Sequence, residues 1–255
     1  MKGSIAALAV SALVAALPAQ AVDLGGLLGN DRLGTLGKNL LEGGNRQGAL
    51  SGISNQDQIG ALKEALSQGA GSAVSSLSRV NGFLGNDRVR IPLPGRLQQL
   101  DDLLGQVGLG KYGDDLRTSI NRAAEAAVPE AKTLLIGAIR DMSVADAKGI
   151  LTGRNDAATR YFRSKTETSI AAKFRPVVAK AMSRVQLSRT YDRFAAKGEK
   201  FGLVSAQDAS LEEYITRKAM DGLFLMMADE EKAIRADPLK ASGDLAKKVF
   251  SALGR

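Results

Sequence analysis

The stretch SNQDQIGALKEALSQGAGSAVSSL, residues 54–77, decides the fold. Ile59, Leu62, Leu66, Ala70, Ala73, Val74 and Leu77 recur at spacings of three and four, the period of one helix face. The same spacing returns near Arg96–Val107, in Leu97, Leu100, Leu103, Leu104 and Val107, until Gly108 and Gly110 end it. It returns over about Tyr112–Ala127, in Leu116, Ile120, Ala123 and Ala127. Pro129 then reads as the first residue of a further helix using Leu134, Leu135, Ala138 and Ile139. No segment alternates with period two over several strands, so the expectation is an all-α fold, an irregular bundle of about seven to nine helices.

The second half follows the same rule. Ser143-Val-Ala-Asp146 resembles a capping box for a short helix ending at Gly153. Asp156 reads as the N-cap of the next helix, which carries Tyr161 and Phe162. Pro176 starts another helix or kinks this one, ahead of an apolar arc in Val177, Val178, Ala181, Met182 and Val185. Ser210-Leu-Glu-Glu213 caps a long helix running to about Ile234, with Leu211, Tyr214, Ile215, Leu223, Met226, Met227 and Ile234 inward. Pro238 ends it, and a last amphipathic helix carries Leu245, Val249, Phe250 and Leu253. Between the first two helices, Val89-Arg-Ile-Pro-Leu-Pro94 is expected to be extended, because residues before proline avoid the helical region. Nine of the eleven aromatics follow Asp156, which places the densest core there, with a break near residues 153–156 between two helical lobes.

The chain opens with an export pattern. Lys2 is a positive n-region, Ile5 to Leu17 a short apolar h-region, and Pro18 precedes the cleavage site Ala19-Gln20-Ala21. The h-region is well short of the ~20 apolar residues that span a bilayer, so residues 1–21 read as a signal peptide cleaved after Ala21. The remainder reads as a periplasmic chain without a transmembrane helix. No cysteine follows the site, so no lipid anchor and no disulfide is expected. Residues 22–54 contain nine glycines among scattered leucines and read as a flexible arm ahead of a helical domain over 55–255. Leu28-Gly-Asn-Asp-Arg32 returns as Leu84-Gly-Asn-Asp-Arg88, two similar turns rather than a structural repeat.

The net charge of +8 is concentrated. Residues 160–200 contain eleven lysines and arginines against three acids, so the rest of the chain sums to zero. Such a field draws anionic partners. In an envelope these are anionic lipid, lipopolysaccharide or wall polymers, met through peripheral membrane contact at Lys173, Lys180 and Arg184. The same field also fits a solvated face that keeps the chain soluble. Export argues against nucleic acid.

Histidine and cysteine are both absent. That removes Ser-His-Asp triads, thiol nucleophiles and His- or Cys-ligated metal sites; no catalytic residue, metal or cofactor is expected. Gly108-Leu-Gly-Lys-Tyr-Gly113 matches a nucleotide-loop spacing, but a leucine-rich helix precedes it where such loops require a strand, and helix termination accounts for the glycines. The carboxylate pairs Asp101-Asp102, Asp114-Asp115, Glu212-Glu213 and Glu230-Glu231 are adjacent in sequence, and adjacent helical residues point about 100° apart. Met220, Met226 and Met227 fit core packing better than a lipid pocket. The informative polar set is Arg122 with Glu125, three apart on one helix face; Asp156, Thr159 and Arg160 at one helix start; and Asp221, Glu231 and Arg235 on the long helix. These residues serve either as caps and ion pairs that lock helices together, or as a polar cleft in which Arg122, Arg160 and Tyr161 receive an anion.

Several of these stretches carry a resemblance. Leu62-Lys-Glu-Ala-Leu66, Asn81-Gly-Phe83, Val89-Arg-Ile-Pro-Leu-Pro94, Asn121-Arg-Ala-Ala-Glu125, Asp156-Ala-Ala-Thr-Arg-Tyr-Phe162, Lys218-Ala-Met-Asp-Gly-Leu-Phe224 and Glu230-Glu231 together resemble the bacterial domain of unknown function 4197 family, from about Gln56 to Phe250. The resemblance implies an exported helical protein and supplies no catalytic residues. Three functional classes remain open: a non-enzymatic binding protein for an anionic envelope component, lipid or protein partner; an envelope hydrolase using carboxylates or a Ser/Lys pair; and an assembly factor whose Gly-rich arm orders on a partner.

Overall fold

The computed structural model describes residues 48–144, 147–199 and 211–254. The expected signal peptide, the expected arm up to residue 47, Asp146 of the first capping box and Ser210 of the second lie outside the described residues. Among the described residues the fold is all-α, with eight helices and no strand. They are α1 (Asn55–Leu77), α2 (Gly95–Gln106), α3 (Lys111–Asp141), α4 (Ala147–Leu151), α5 (Ala157–Arg184), α6 (Leu187–Glu199), α7 (Leu211–Ala236) and α8 (Asp244–Leu253); a 3-10 turn, Pro238–Lys240, joins the last two. No helix among them is long and apolar enough to cross a membrane.

Helix α1 lies at the centre of the bundle. Ser54 starts it by accepting the Asp57 N–H at 3.0 Å. Its buried face mixes Leu62, Leu66, Val74 and Leu77 with Ala61, Ala65, Gly69, Ala70 and Ala73. Small residues let neighbouring backbones come close: a Cβ added to Gly69 would lie 3.3 Å from the Met227 carbonyl oxygen of α7. Around α1 pack α3, α7 and α8, while α5 is sandwiched between α3 and α7, and α6 rests on α3. Phe83, Phe162, Phe174, Phe194 and Phe250 are fully buried between these layers. The junction at 153–156, expected to divide two lobes, is a turn between α4 and α5, and helices from both sides of it pack on one another. Leu50, from the end of the Gly-rich stretch, is buried, and Ile53 packs against the core.

Two helices are longer than their prolines suggest. Helix α3 runs through Pro129, which was expected to open a new helix, and α5 runs through Pro176. Each proline removes one backbone donor, yet both rings lie on the exposed face, clear of the packed interior. Buried Val128 and Ala131 flank the first proline, and buried Phe174 and Val178 flank the second. Burial on the inner face therefore carries the helix across the break. On α2, Leu97, Leu100 and Leu104 are buried as expected, but Leu103 and Val107 are exposed: the apolar stripe is wider than the surface α2 covers.

The glycine-rich joint after α2 is a helix stop. Leu109 N–H donates to the Leu104 carbonyl at 2.8 Å and Gly108 N–H to Gly105 at 3.2 Å, with Gly108 at φ +75. This is the paired bonding of a Schellman motif, whose left-handed residue is most often glycine.

Replacing exposed Pro129 by Ala should raise the unfolding free energy by about 2 kcal/mol, read from urea titrations. A helix that began at Pro129 would gain almost nothing.

Candidate functional site

The polar residues of the described chain resolve into two carboxylate hubs and one open groove. The first hub is built by α3. Asn121 is fully buried, and its side chain both accepts the Ile91 N–H and donates to the Ile91 carbonyl, each at 2.8 Å. It thus gives Ile91, in the non-helical run before Pro94, the partner that a neighbouring strand would give. One turn on, Glu125 accepts the N–H groups of Phe83 and Leu84 at 3.1 and 3.2 Å and pairs with Arg122, which also donates to Asn81 at 2.8 Å. Asn81 sits at φ 66, a left-handed conformation that asparagine tolerates better than most residues. Phe83 then lies against α7 where Gly222 leaves room; an added Cβ would stand 2.8 Å from its ring. The loop 81–94 is held by its own side chains and by one face of α3.

The second hub is on α7. Glu231, 2 % exposed, accepts the N–H groups of Ala158 and Thr159 at 3.0 and 2.8 Å, the Thr159 hydroxyl at 2.7 Å, and the Arg235 guanidinium at 2.8 Å. Arg235 donates onward to the carbonyls of Leu151 and Ile150 at 2.7 and 3.2 Å and lies over the Phe250 ring. One ion pair therefore caps the start of α5 and the end of α4 together. Asp156 occupies the expected N-cap position but makes no capping hydrogen bond; its carboxylate takes Arg160 Nη2 at 2.8 Å instead. The cap comes from another helix, a carboxylate at a helix N-terminus being favoured by both the free N–H groups and the dipole. Asp221, the third acid of the expected polar set, accepts Arg163 at 2.6 Å, and Arg163 also reaches Glu167. The hydrogen bond it donates to Glu167 foremost, opposed by desolvation, holds this guanidinium above its already high ordinary value, so it stays charged.

Arg122 and Arg160 thus enter separate networks, Arg122 with Glu125 and Asn81 and Arg160 with Asp156. Of the residues expected to receive an anion together, only Tyr161 lines a groove. That groove lies between α3 and α5 and has a volume of about 600 Å³. Its walls are ridges of residues four apart: Tyr161, Lys165, Ser169 and Lys173 on α5, and Thr133, Gly137 and Asp141 on α3. Leu134, Ala138, Met142 and Ile170 line it too. Leu134 and Ala138 were expected in the core; they are half-buried because nothing on α5 fills the space opposite Gly137. The Tyr161 hydroxyl donates to the Ser143 carbonyl at 3.1 Å, and Lys165 lies over the Tyr161 ring at 5.7 Å. Lys173 is exposed at the groove; Lys180 is exposed further along α5, and Arg184 reaches Glu130 at 4.0 Å near its end. Lys165, Ser169 and Gly137 were not picked out by sequence reasoning. The signal present was the four-residue ridge facing a Gly-Ala step.

The family described as Protein of unknown function (DUF4197) matches residues 52–251. The chain belongs to the DUF4197 family. Several of the stretches that carried the resemblance are parts of the two hubs in this DUF4197 protein. Asn121 to Glu125 clamps Asn81-Gly-Phe83 and Val89 to Pro94, while Glu231 caps the Asp156 to Phe162 turn. No curated protein and no solved structure matches the chain.

Glu231→Ala strands a buried guanidinium and three further donors, and should cost about 3–5 kcal/mol of stability. Asp156→Ala, at the nominal cap, should cost no more than about 0.5 kcal/mol. Paired urea denaturation of the two variants checks this.

Proposed function

We propose that the chain is an exported, non-enzymatic binding protein of the bacterial envelope, and that the groove between α3 and α5 takes the head and upper chain of an amphiphilic anion. The observation that carries this reading is the makeup of the groove. Two lysines, Lys165 and Lys173, and the threonines Thr133 and Thr166 line the same space as Leu134, Ala138, Met142 and Ile170. A volume near 600 Å³ falls in the range of small-molecule sites, and an apolar lining with a few placed polar groups is their usual composition. The cations compensate a charge, and the apolar residues gain by covering a chain segment.

The hydrolase reading has less support. Acid–base hydrolysis needs two carboxyls converging from different segments, and Asp141 is the sole carboxylate lining the groove. A Ser/Lys pair is present in sequence as Lys165 and Ser169, but the Ser169 hydroxyl donates to the Thr166 carbonyl at 2.9 Å rather than to the lysine. The export pattern at Lys2–Ala21 supports the compartment. Protein recovered from a periplasmic extract of its own host should begin at Val22 by N-terminal sequencing; an intact Met1 would defeat the compartment assignment.

Gly137 provides the decisive variant. A side chain added there meets nothing within 4 Å and projects into the groove. Gly137→Leu should fill the site and also raise helix stability by about 0.8 kcal/mol. In titrations with lysophosphatidylglycerol, affinity should fall at least tenfold while the thermal midpoint holds or rises. Unchanged affinity in this stable variant would remove the groove as the binding site.

A further inference from the structure

The corner between α5 and α6 holds a second concavity, separate from the groove and unused by the reading above. Its volume is about 680 Å³, and three arginines line it: Arg184 from the end of α5, and Arg189 and Arg193 from α6. The corner is fixed from inside. Leu187 and Phe194 are fully buried, Thr190 is nearly so, and the Ser119 hydroxyl of α3 donates to Thr190 Oγ1 at 3.3 Å. With those positions inward, Arg189 and Arg193, four apart, share one outward face. Gln186, at φ 53, turns the chain so that Arg184 comes to the same hollow.

These arginines differ from most of those in the described chain. Arg88, Arg117, Arg160, Arg163 and Arg175 each hold a carboxylate oxygen at 3.0 Å or closer. In the hollow, Arg184 reaches its nearest carboxylate, Glu130, only at 4.0 Å; Arg189 donates to the Gln186 amide oxygen at 3.3 Å and Arg193 to the Thr190 hydroxyl at 3.5 Å. Among the described residues no acid pairs with Arg189 or Arg193. Asp192 also lines the hollow, so three guanidinium charges face one lining carboxylate, with Glu130 at 4.0 Å from Arg184, and positive charge is left over.

We infer that this hollow is a recognition site for a phosphomonoester group, with Arg184, Arg189 and Arg193 as its ligands. A phosphomonoester carries close to two negative charges at neutral pH, which answers a surplus of positive charge. It presents three oxygens to planar forks that bind oxyanions in bidentate fashion, a geometry a lysine cannot reproduce. The hydrogen bonds that now occupy Arg189 and Arg193 go to neutral acceptors and are long, so phosphate oxygens replace them at small cost. The group belongs either to a soluble phosphate ester or to a lipid.

The test uses the full chain and two probes: glycerol 3-phosphate by calorimetry, and phosphatidylcholine vesicles doped with phosphatidic acid by co-sedimentation. Vesicles of equal surface charge made with phosphatidylglycerol, a phosphodiester, serve as reference. Wild type should bind at least one phosphomonoester probe, and prefer phosphatidic acid over phosphatidylglycerol wherever vesicles bind. Binding of glycerol 3-phosphate identifies a soluble ester as a sufficient ligand; binding of vesicles alone identifies a lipid-borne one. The double variant R189Q/R193Q should lose at least tenfold in affinity. So should R189K/R193K, which keeps the charge and loses the forks. Circular dichroism should show both folded, since the two side chains are exposed. The groove variant Gly137→Leu should bind these probes as wild type does, which separates this site from the one proposed above. Wild type that ignores both probes, or a lysine variant that binds as tightly as wild type, overturns the assignment.

Discussion

The pairing of Glu231 with Arg235 is the constraint on which the C-terminal half of the bundle depends. Burying two charges is expensive unless every lone pair and proton finds a partner. Here the carboxylate takes two backbone N–H groups, a hydroxyl and a guanidinium, and the guanidinium takes two carbonyls in return. Those backbone groups are the ones that helix ends leave without internal partners. A short α4 of five residues cannot hold itself together; it persists because its last carbonyls are tied to α7. The direction in which α5 leaves the turn, and hence the position of the groove wall it forms, follows from the same pair.

Asn121 and Glu125 do for the N-terminal half what Glu231 does for the other. A loop of non-helical backbone inside an all-helical core has to satisfy its donors and acceptors somewhere. Two side chains one turn apart on α3 do this for residues 83, 84 and 91, and the loop is thereby able to bury Phe83, Val89, Ile91 and Leu93. Both halves thus use the same device, a long helix lending side chains to backbone that has no regular partner.

This division explains what the sequence disclosed. Helical period, the buried faces of α1, α3 and α7, and the non-helical run before Pro94 are local properties, and they were legible from the sequence. The Arg122–Glu125 pair was legible for the same reason, being three apart. The cap on α5 was not, because Glu231 lies more than seventy residues from the N–H groups it accepts, and Asp156 was the nearer candidate. Pro129 misled because proline's local preference was outweighed by burial on the opposite helix face. Leu134 and Ala138 were assigned to the core since periodicity reports which face is apolar, not whether a partner covers it. The groove exists in that difference.

Tyr161 has a consequence of an optical kind. The chain contains no tryptophan and four tyrosines, so its near-ultraviolet emission comes from phenol rings alone. Tyr161 stands at the groove with an ammonium over its ring and its hydroxyl on a backbone carbonyl. Anything entering the groove changes the polarity around one of these few chromophores. The molecule therefore carries an intrinsic fluorescent reporter at its own cavity, readable without a label.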